Sequence, residues 1–337
     1  MNESVEFGQA LQNWAAEEVG DPTATVSGVR RTSAGFSREN WVFEVSYVLD
    51  GKSRTEPLIA RRDPVGSVLD TDRRVETAVL RALESTDVPS PPLRWVDLEG
   101  RRLGRPSIVM DLVPGYCDGF VLSGETSPEE RLALAHHLYD YLAEIHLLDW
   151  RALGLGEVLQ DPGAKAALVA VDHWERELRK VALEPQPELA YIMAWLRQNA
   201  PDSLTTTLVH GDFKAGNVLL TRDDTETEHP TVTAILDWET VHLGDPREDL
   251  GWVTNPLRAR EHTIPGSWEP ADLIARWQQR TGLDADPHAI QWWRVLANVK
   301  LAVIVLSGIN ALVDGRLDRI HQSPGALVKL MLRMIGD

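Results

Sequence analysis

The chain has 337 residues, more than the ~250–300 at which one hydrophobic core stops growing, so two lobes are expected. Hydrophobic residues are 43% and charged residues 25%, a globular balance that excludes a disordered or fibrous chain. The formal charge is −17, which argues against nucleic acid or an anionic membrane as partner, since both need a basic footprint.

In chain order, the first twenty or so residues suggest a helix with Leu11, Trp14 and Ala15 on one face. The period then changes. Val26 to Arg31 and Asn40 to Val48 read as strands, separated by the loop 32–39. Asp50-Gly51 is a hairpin signal, and a third strand is expected at Pro57 to Arg62. Asp70 or Thr71 is expected to cap a helix running to Leu83, with Val75, Val79 and Leu83 as its stripe. Strands follow at Leu93 to Asp97 and Ser107 to Val113, turning at Glu99-Gly100, before Pro114-Gly115 breaks the pattern. Residues 22–113 thus read as a five-stranded, mostly antiparallel sheet with a helix after the third strand. From there the chain is mainly helical. Ser127-Pro128-Glu129-Glu130 reads as a capping box opening a helix to Leu148. Further helices are expected over 165–181, 187–199, 270–281, 287–306 and 324–335. Two short apolar segments interrupt them, 207–210 with 217–220, and 231–237. The run 223–228 is an acidic, solvated loop.

The single cysteine, Cys117, allows neither an internal disulfide nor a cysteine-rich zinc site, and suggests a reducing, cytoplasmic setting. Met1-Asn2-Glu3-Ser4 lacks the basic-then-apolar order of a signal peptide. The most apolar stretch, Leu301 to Leu306, is expected to end at Ser307-Gly308, too short to span a bilayer, and reads as a buried helix.

The chemistry concentrates in His210-Gly211-Asp212-Phe213-Lys214-Ala215-Gly216-Asn217, followed about twenty residues on by Ile235-Leu236-Asp237-Trp238. Phosphoryl transfer from a nucleotide needs a carboxylate to orient and deprotonate the acceptor hydroxyl. It also needs an amide oxygen and a second carboxylate to hold Mg²⁺, and a cation near the moving group. Asp212, Asn217, Asp237 and Lys214 supply these types in the order of a kinase catalytic loop and metal strand. His136-His137, His146 and His242 make no zinc pattern with carboxylates. His210 reads as a structural hydrogen-bonder, because Asp212 already serves as base.

This segment resembles the catalytic loop of the aminoglycoside phosphotransferase and choline kinase-like family, which has the protein-kinase fold. The family's HGD…N loop matches His210, Gly211, Asp212 and Asn217, and its ILDWE strand matches Ile235 to Glu239. Its GDPxxDL segment matches Gly244 to Leu250, where the resemblance implies that Asp249 braces the catalytic loop. It implies a bilobal α+β fold, with residues 1–113 a small β-rich nucleotide-binding lobe and 114–337 a larger helical lobe carrying the catalytic loop and acceptor site. ATP, with GTP as the alternative nucleotide, and Mg²⁺ are the implied cofactors, bound in the cleft.

The first lobe fits this pattern in three places. Ser33, Gly35 and Ser37 stand where kinases place a loop over the phosphates, although a plain hairpin accounts for one glycine equally well. Strand three reads Ile59-Ala60-Arg61-Arg62 where the family carries a lysine. Arg61 fits that place best, with Glu76 as its partner, and an ordinary helix–sheet ion pair is the alternative. Asp111 and Val113 lie at the expected hinge, which offers backbone groups to adenine and is also an interlobe linker.

The expected partner is a small-molecule hydroxyl acceptor, and two classes stay open. Residues 1–115 hold 14 Lys+Arg against 18 Asp+Glu, and the remainder 20 against 33, an acidity that suits a cationic aminoglycoside. A closer resemblance, carried by Ala60-Arg61-Arg62-Asp63-Pro64-Val65-Gly66, Glu76 and Asp87-Val88-Pro89-Ser90-Pro91, is to the phosphotransferase domain fused to some acyl-CoA dehydrogenases. That resemblance implies a hydroxyacyl-CoA acceptor. A third possibility is a catalytically silent, nucleotide-binding scaffold.

Overall fold

The computed structural model describes residues 3–32, 38–64, 72–222, 230–315 and 324–336. They form two compact units. One comprises Met1–Gly115 with Thr233–Glu239, the other Tyr116–Val232 with Thr240–Asp337.

The first unit runs α1 (Glu3–Glu18), β1 (Thr25–Arg31), β2 (Glu39–Leu49), β3 (Lys52–Arg62), α2 (Arg73–Leu83), β4 (Leu93–Asp97) and β5 (Ser107–Asp111). The sheet order is β1-β2-β3-β5-β4, antiparallel at every pairing. Asp50 and Gly51 both take positive φ, 51° and 73°, the two-residue turn whose twist matches a hairpin. β3 begins at Lys52, earlier than expected at Pro57. Its polar first half is held by an unbroken ladder to β2, from Leu49↔Lys52 to Glu39↔Arg62, which a hydrophobicity pattern does not register.

Alternation along β2 and β3 sends Trp41, Phe43, Val45, Leu58 and Ala60 to one face. There Phe7, Leu11, Trp14 and Ala15 of α1 close a buried core, with the Phe7 and Trp41 rings stacked at 4.2 Å. Arg62 lies on this face, its guanidinium 4.7 Å from the Phe7 ring and ion-paired to Glu39 at 2.6 Å. Arg61 therefore faces the other way, toward α2. The cap of α2 is Asp72, whose carboxylate accepts from the Arg74 N–H. The expected caps Asp70 and Thr71 lie outside the described residues.

The second unit carries α3 (Pro128–Leu147), α4 (Ala166–Val181), α5 (Pro187–Gln198), β6 (Thr207–Val209) and β7 (Val218–Thr221). The chain crosses into the first unit within β8 (Thr231–Ile235) and returns for β9 (His242–Gly244), α6 (Arg247–Val253), α7 (Ala259–His262), α8 (Pro270–Thr281), α9 (Pro287–Val313) and α10 (Pro324–Gly336). β6 and β9 pair antiparallel. Ser127 caps α3 as expected by accepting from the Glu130 N–H. The Glu130 carboxylate does not complete the box but pairs with Arg222.

α9 corrects an expectation. It does not stop at Ser307-Gly308 but continues to Val313, because Ile309 still packs on the core formed with α4, α5 and α10. At 27 residues it is long and apolar enough to cross a membrane by length and composition. Its most apolar window is 56% buried within the protein, and Trp292, Trp293, Leu296, Val299 and Val303 form the centre of that core. α9 is thus a core helix.

Candidate active site

In the first unit, β3 and α2 bring Arg61 to Glu76, and the 233–239 segment brings Asp237 to the same guanidinium. Arg61 donates through Nη1 to Glu76 Oε1 at 2.8 Å and through Nη2 to Asp237 Oδ1 at 3.0 Å. Burial alone would weaken the guanidinium's hold on its proton. Glu76, then Asp237 and Glu239, outweigh that and raise its pKa further. Glu76 is almost fully buried and also holds Arg73, Nη1 to Oε2, at 2.8 Å. Arg73 pairs with Asp63, and Arg38 lies 3.3 Å from Asp63 and 3.4 Å from Glu239. The Glu239 carboxyl is pushed up by burial and by its neighbour Asp237.

Asp237 takes φ 66°, a left-handed conformation that a non-glycine residue holds only when its surroundings impose it. The segment is tied down on both sides. Ile235 N–H donates to the Pro89 carbonyl at 2.8 Å, and the buried Trp238 indole donates to the Ile235 carbonyl at 3.0 Å. Asp237 Oδ2 has no protein partner among the described residues.

At the expected hinge, the Leu112 and Val113 N–H groups are taken up by backbone carbonyls. Leu112 N–H donates to Pro57 O and Val113 N–H to Asp111 O, at 3.0 and 3.1 Å. The Asp111 carboxylate meets Arg94 Nε at 3.0 Å. Among the described residues, neither Asp111 nor Val113 is hydrogen-bonded or ion-paired to Arg61, Glu76 or Asp237. Ser33, Gly35 and Ser37 lie outside the described residues.

In the second unit, β6 feeds the loop His210-Gly211-Asp212. Gly211 has φ 80°, and a Cβ there would sit 2.8 Å from Thr240 Oγ1 and 2.9 Å from its carbonyl, so only glycine fits. Asp249, fully buried on α6, accepts from His210 N at 2.8 Å and Gly211 N at 2.9 Å. It also meets His146 Nε2 at 3.1 Å, while Trp277 Nε1 lies 2.9 Å from His146 Nδ1. An indole N–H only donates, so Nδ1 accepts and Nε2 is the donor to Asp249. This is the bracing role expected of Asp249.

Asp212 Oδ2 accepts from Lys214 Nζ at 2.6 Å and from Asn217 Nδ2 at 3.0 Å, and the same amide nitrogen reaches the Asp212 carbonyl at 3.0 Å. Two acceptors fix which end of the Asn217 amide is nitrogen. Its Oδ1 is left with no protein partner among the described residues. Burial would raise the Asp212 pKa, but Lys214, then Lys300, prevail and hold it below the usual carboxylate value. The described residues contain no group of three or more His, Cys, Asp or Glu able to hold a metal. Magnesium does not require one. It takes oxygen ligands, one or two of them carboxylates, and fills its shell with water and phosphate. The unpaired oxygen of Asn217, in the second unit, and that of Asp237, in the first, are each of that chemical kind.

Sequence reasoning missed the buried support. Lys300, on α9, donates to the Gly211 carbonyl. Trp252, three residues after Asp249, carries the Arg258 guanidinium at 4.1 Å and the Lys300 ammonium at 4.6 Å from its ring centroid. Arg38 and Arg73 were missed likewise. The one available signal was Lys300 itself, a charge inside an apolar helix.

Comparison with known proteins adds four findings. The phosphotransferase enzyme family model matches residues 33–293. Acyl-CoA dehydrogenase family member 11 of Rattus norvegicus is 30% identical over 304 residues, covering 82% of this chain but 38% of that protein. The chain thus spans well under half of that relative. A solved structure from Ralstonia eutropha, assigned to the aminoglycoside phosphotransferases, superposes with TM-score 0.71 at 24% identity, covering 97% of this chain and 95% of that one. The streptomycin–ATP ternary complex of APH(2")-IIa gives TM-score 0.56 at 15% identity, covering 88% and 89%. At these identities the structural likeness is one of fold, the kinase-like α+β fold expected from the sequence.

Proposed function

Because this chain belongs to the phosphotransferase enzyme family, we propose that it transfers the γ-phosphoryl group of ATP, with Mg²⁺, to a hydroxyl of a small molecule. The observation that carries this is the Asp212–Asn217 pair. One amide nitrogen fixes the carboxylate while the amide oxygen stays free, inside a loop whose N–H groups are held by Asp249.

Asp212 orients the acceptor hydroxyl and takes its proton as the new O–P bond forms and the bond from the γ-phosphorus to ADP breaks. Its depressed pKa keeps it ionised for that role at neutral pH. Lys214 neutralises charge on the transferring group, and Arg61, oriented by Glu76, holds phosphate oxygens through its fork. Asn217 and Asp237 would hold Mg²⁺, which when bound would supply charge neutralisation at the phosphates. Asp111 and Val113 mark the adenine side, and Ser33, Gly35 and Ser37 the phosphate loop.

For the acceptor we favour a hydroxyacyl thioester, supported by the likeness to an acyl-CoA dehydrogenase family member. The acidity of residues 116–337 supports the second class, a cationic aminoglycoside. The test incubates the protein with MgATP, and with MgGTP in parallel, against hydroxyacyl-CoA thioesters and aminoglycosides. Products are read by ³¹P NMR and mass spectrometry. A phosphate ester on a thioester acceptor is the expected result. Nucleotide binding with no ester on any alcohol would overturn the reading in favour of a silent scaffold.

A further inference from the structure

The backbone of His210-Gly211-Asp212 can be accounted for group by group. The N–H groups of His210 and Gly211 go to Asp249. The His210 carbonyl accepts from Thr240 Oγ1 at 3.0 Å. Asp212 N–H meets His210 Nδ1 at 3.3 Å, and the Asp212 carbonyl accepts from Asn217. The remaining group, the Gly211 carbonyl, accepts from Lys300 Nζ and from no other side chain of the described residues. It belongs to the peptide that joins Gly211 to Asp212, so its direction sets where the Asp212 side chain starts.

Lys300 is costly to keep there. It is 6% exposed in the middle of α9, and a buried ammonium needs compensation. No carboxylate of the described residues lies within ion-pair distance of it. Compensation comes from the ring faces of Trp252 at 4.6 Å and Trp174 at 5.7 Å, with Asp212, Glu248 and Asp249 at longer range and Arg258 opposing. These residues enclose a small pocket in which Lys300, Trp174, Trp252 and Glu248 stand beside Gly211. The helix core on either side of Lys300 is apolar, so packing alone would be served by leucine or methionine.

We propose that Lys300 is a positioning residue of phosphoryl transfer: it fixes the Gly211–Asp212 peptide from behind, on a Trp252–Trp174 platform. The inference rests on the phosphotransferase reading above and is tested by a readout that does not need turnover.

Hydrogen–deuterium exchange over the 208–214 segment is compared in the full chain for wild type, Lys300→Met, Lys300→Arg and Trp252→Phe. Lys300→Met keeps the stem but removes the donor. Its exchange in this segment should rise about tenfold, the effect of losing one buried hydrogen bond, with the rest of α9 protected. Lys300→Arg should restore protection, and Trp252→Phe should give a smaller rise. Once an acceptor is in hand, Lys300→Met should lower kcat by about 10- to 100-fold, as for a catalytic group displaced by ~1 Å. Acceptor KM and nucleotide affinity should stay near wild type, and Lys300→Arg should recover most of kcat. If Lys300→Met does not fold, Trp252→Phe carries the test. Unchanged exchange in folded Lys300→Met, or in Trp252→Phe where that carries the test, overturns the proposal. If wild type phosphorylates nothing, the functional reading fails while the exchange result still decides the role of Lys300.

Discussion

Arg61 Nη2 lies 3.0 Å from Asp237 Oδ1, while its other terminal nitrogen lies 2.8 Å from Glu76. One guanidinium thus joins the carboxylate proposed to hold magnesium to a buried helix glutamate. That fork is how an arginine would serve in the proposed phosphate-binding place, where the resemblance implies a lysine. A rigid planar group spans two carboxylates at once, which a single ammonium on a flexible stem does less well.

Arg61→Ala should weaken MgATP binding by about 10- to 100-fold, the equivalent of losing a charge-assisted contact worth ~1.5–3 kcal/mol. Arg62→Ala should leave nucleotide affinity unchanged and lower the melting temperature, because Arg62 is ion-paired to Glu39 and packed on Phe7. Calorimetry and thermal unfolding on both variants separate the two roles. Affinities in the reverse order would assign the phosphates to Arg62.

Asp212→Asn keeps the size of the side chain and loses the proton acceptor. Transfer should slow by about 10²- to 10⁴-fold, the usual contribution of a general base. MgATP affinity should barely change. Asp237→Ala should do the opposite in calorimetry and abolish the magnesium dependence of nucleotide binding. Near-full turnover of Asp212→Asn would falsify the mechanism.

Gly211→Ala should destabilise the loop by ~1–3 kcal/mol, since the residue must hold φ 80° against Thr240. Adding Thr240→Ala removes the 2.8 Å hydroxyl contact but not the 2.9 Å carbonyl one, so stability should recover only in part. Urea midpoints of the single and double variants check this.

His242 gives a pH dependence with a definite sign. Its side chain is 39% exposed; partial burial opposes its charge, but Glu248, at 3.0 Å from Nε2, and the Thr240 carbonyl, at 2.9 Å from Nδ1, raise its pKa to about 9. A folded pKa above the unfolded value of 6.5 gives stability that is complete below pH 6.5 and declines as pH rises through about 9. Urea midpoints should therefore fall between pH 6.5 and 9 in wild type, and less so in His242→Gln. Parallel pH profiles would remove the linkage from this pair.

Much of this was legible because local patterns sufficed. The Asp50-Gly51 turn, the alternation of β2 and the HGD…N spacing are written within short windows. The Arg61–Glu76 partnership was legible through the resemblance, which implies a strand cation paired with a helix glutamate, and the ion pair is present at 2.8 Å. What was not legible came from long-range contact. The first half of β3 is a strand because β2 pairs with it, not because its residues are apolar. α9 passes through Gly308 because a core continues beneath it. The Asp249–His146–Trp277 chain joins α6, α3 and α8, which no spacing rule connects.

The 233–239 segment has a consequence for synthesis. The first unit has its sheet by residue 111, yet its Asp237, and the Ile235 amide that meets Pro89, are encoded more than a hundred residues later. On the ribosome that sheet emerges early and waits, with Arg61 lacking one of its two carboxylates, while much of the second unit is made. A chain truncated after residue 115 would lack both Asp237 and the Ile235 amide that meets Pro89.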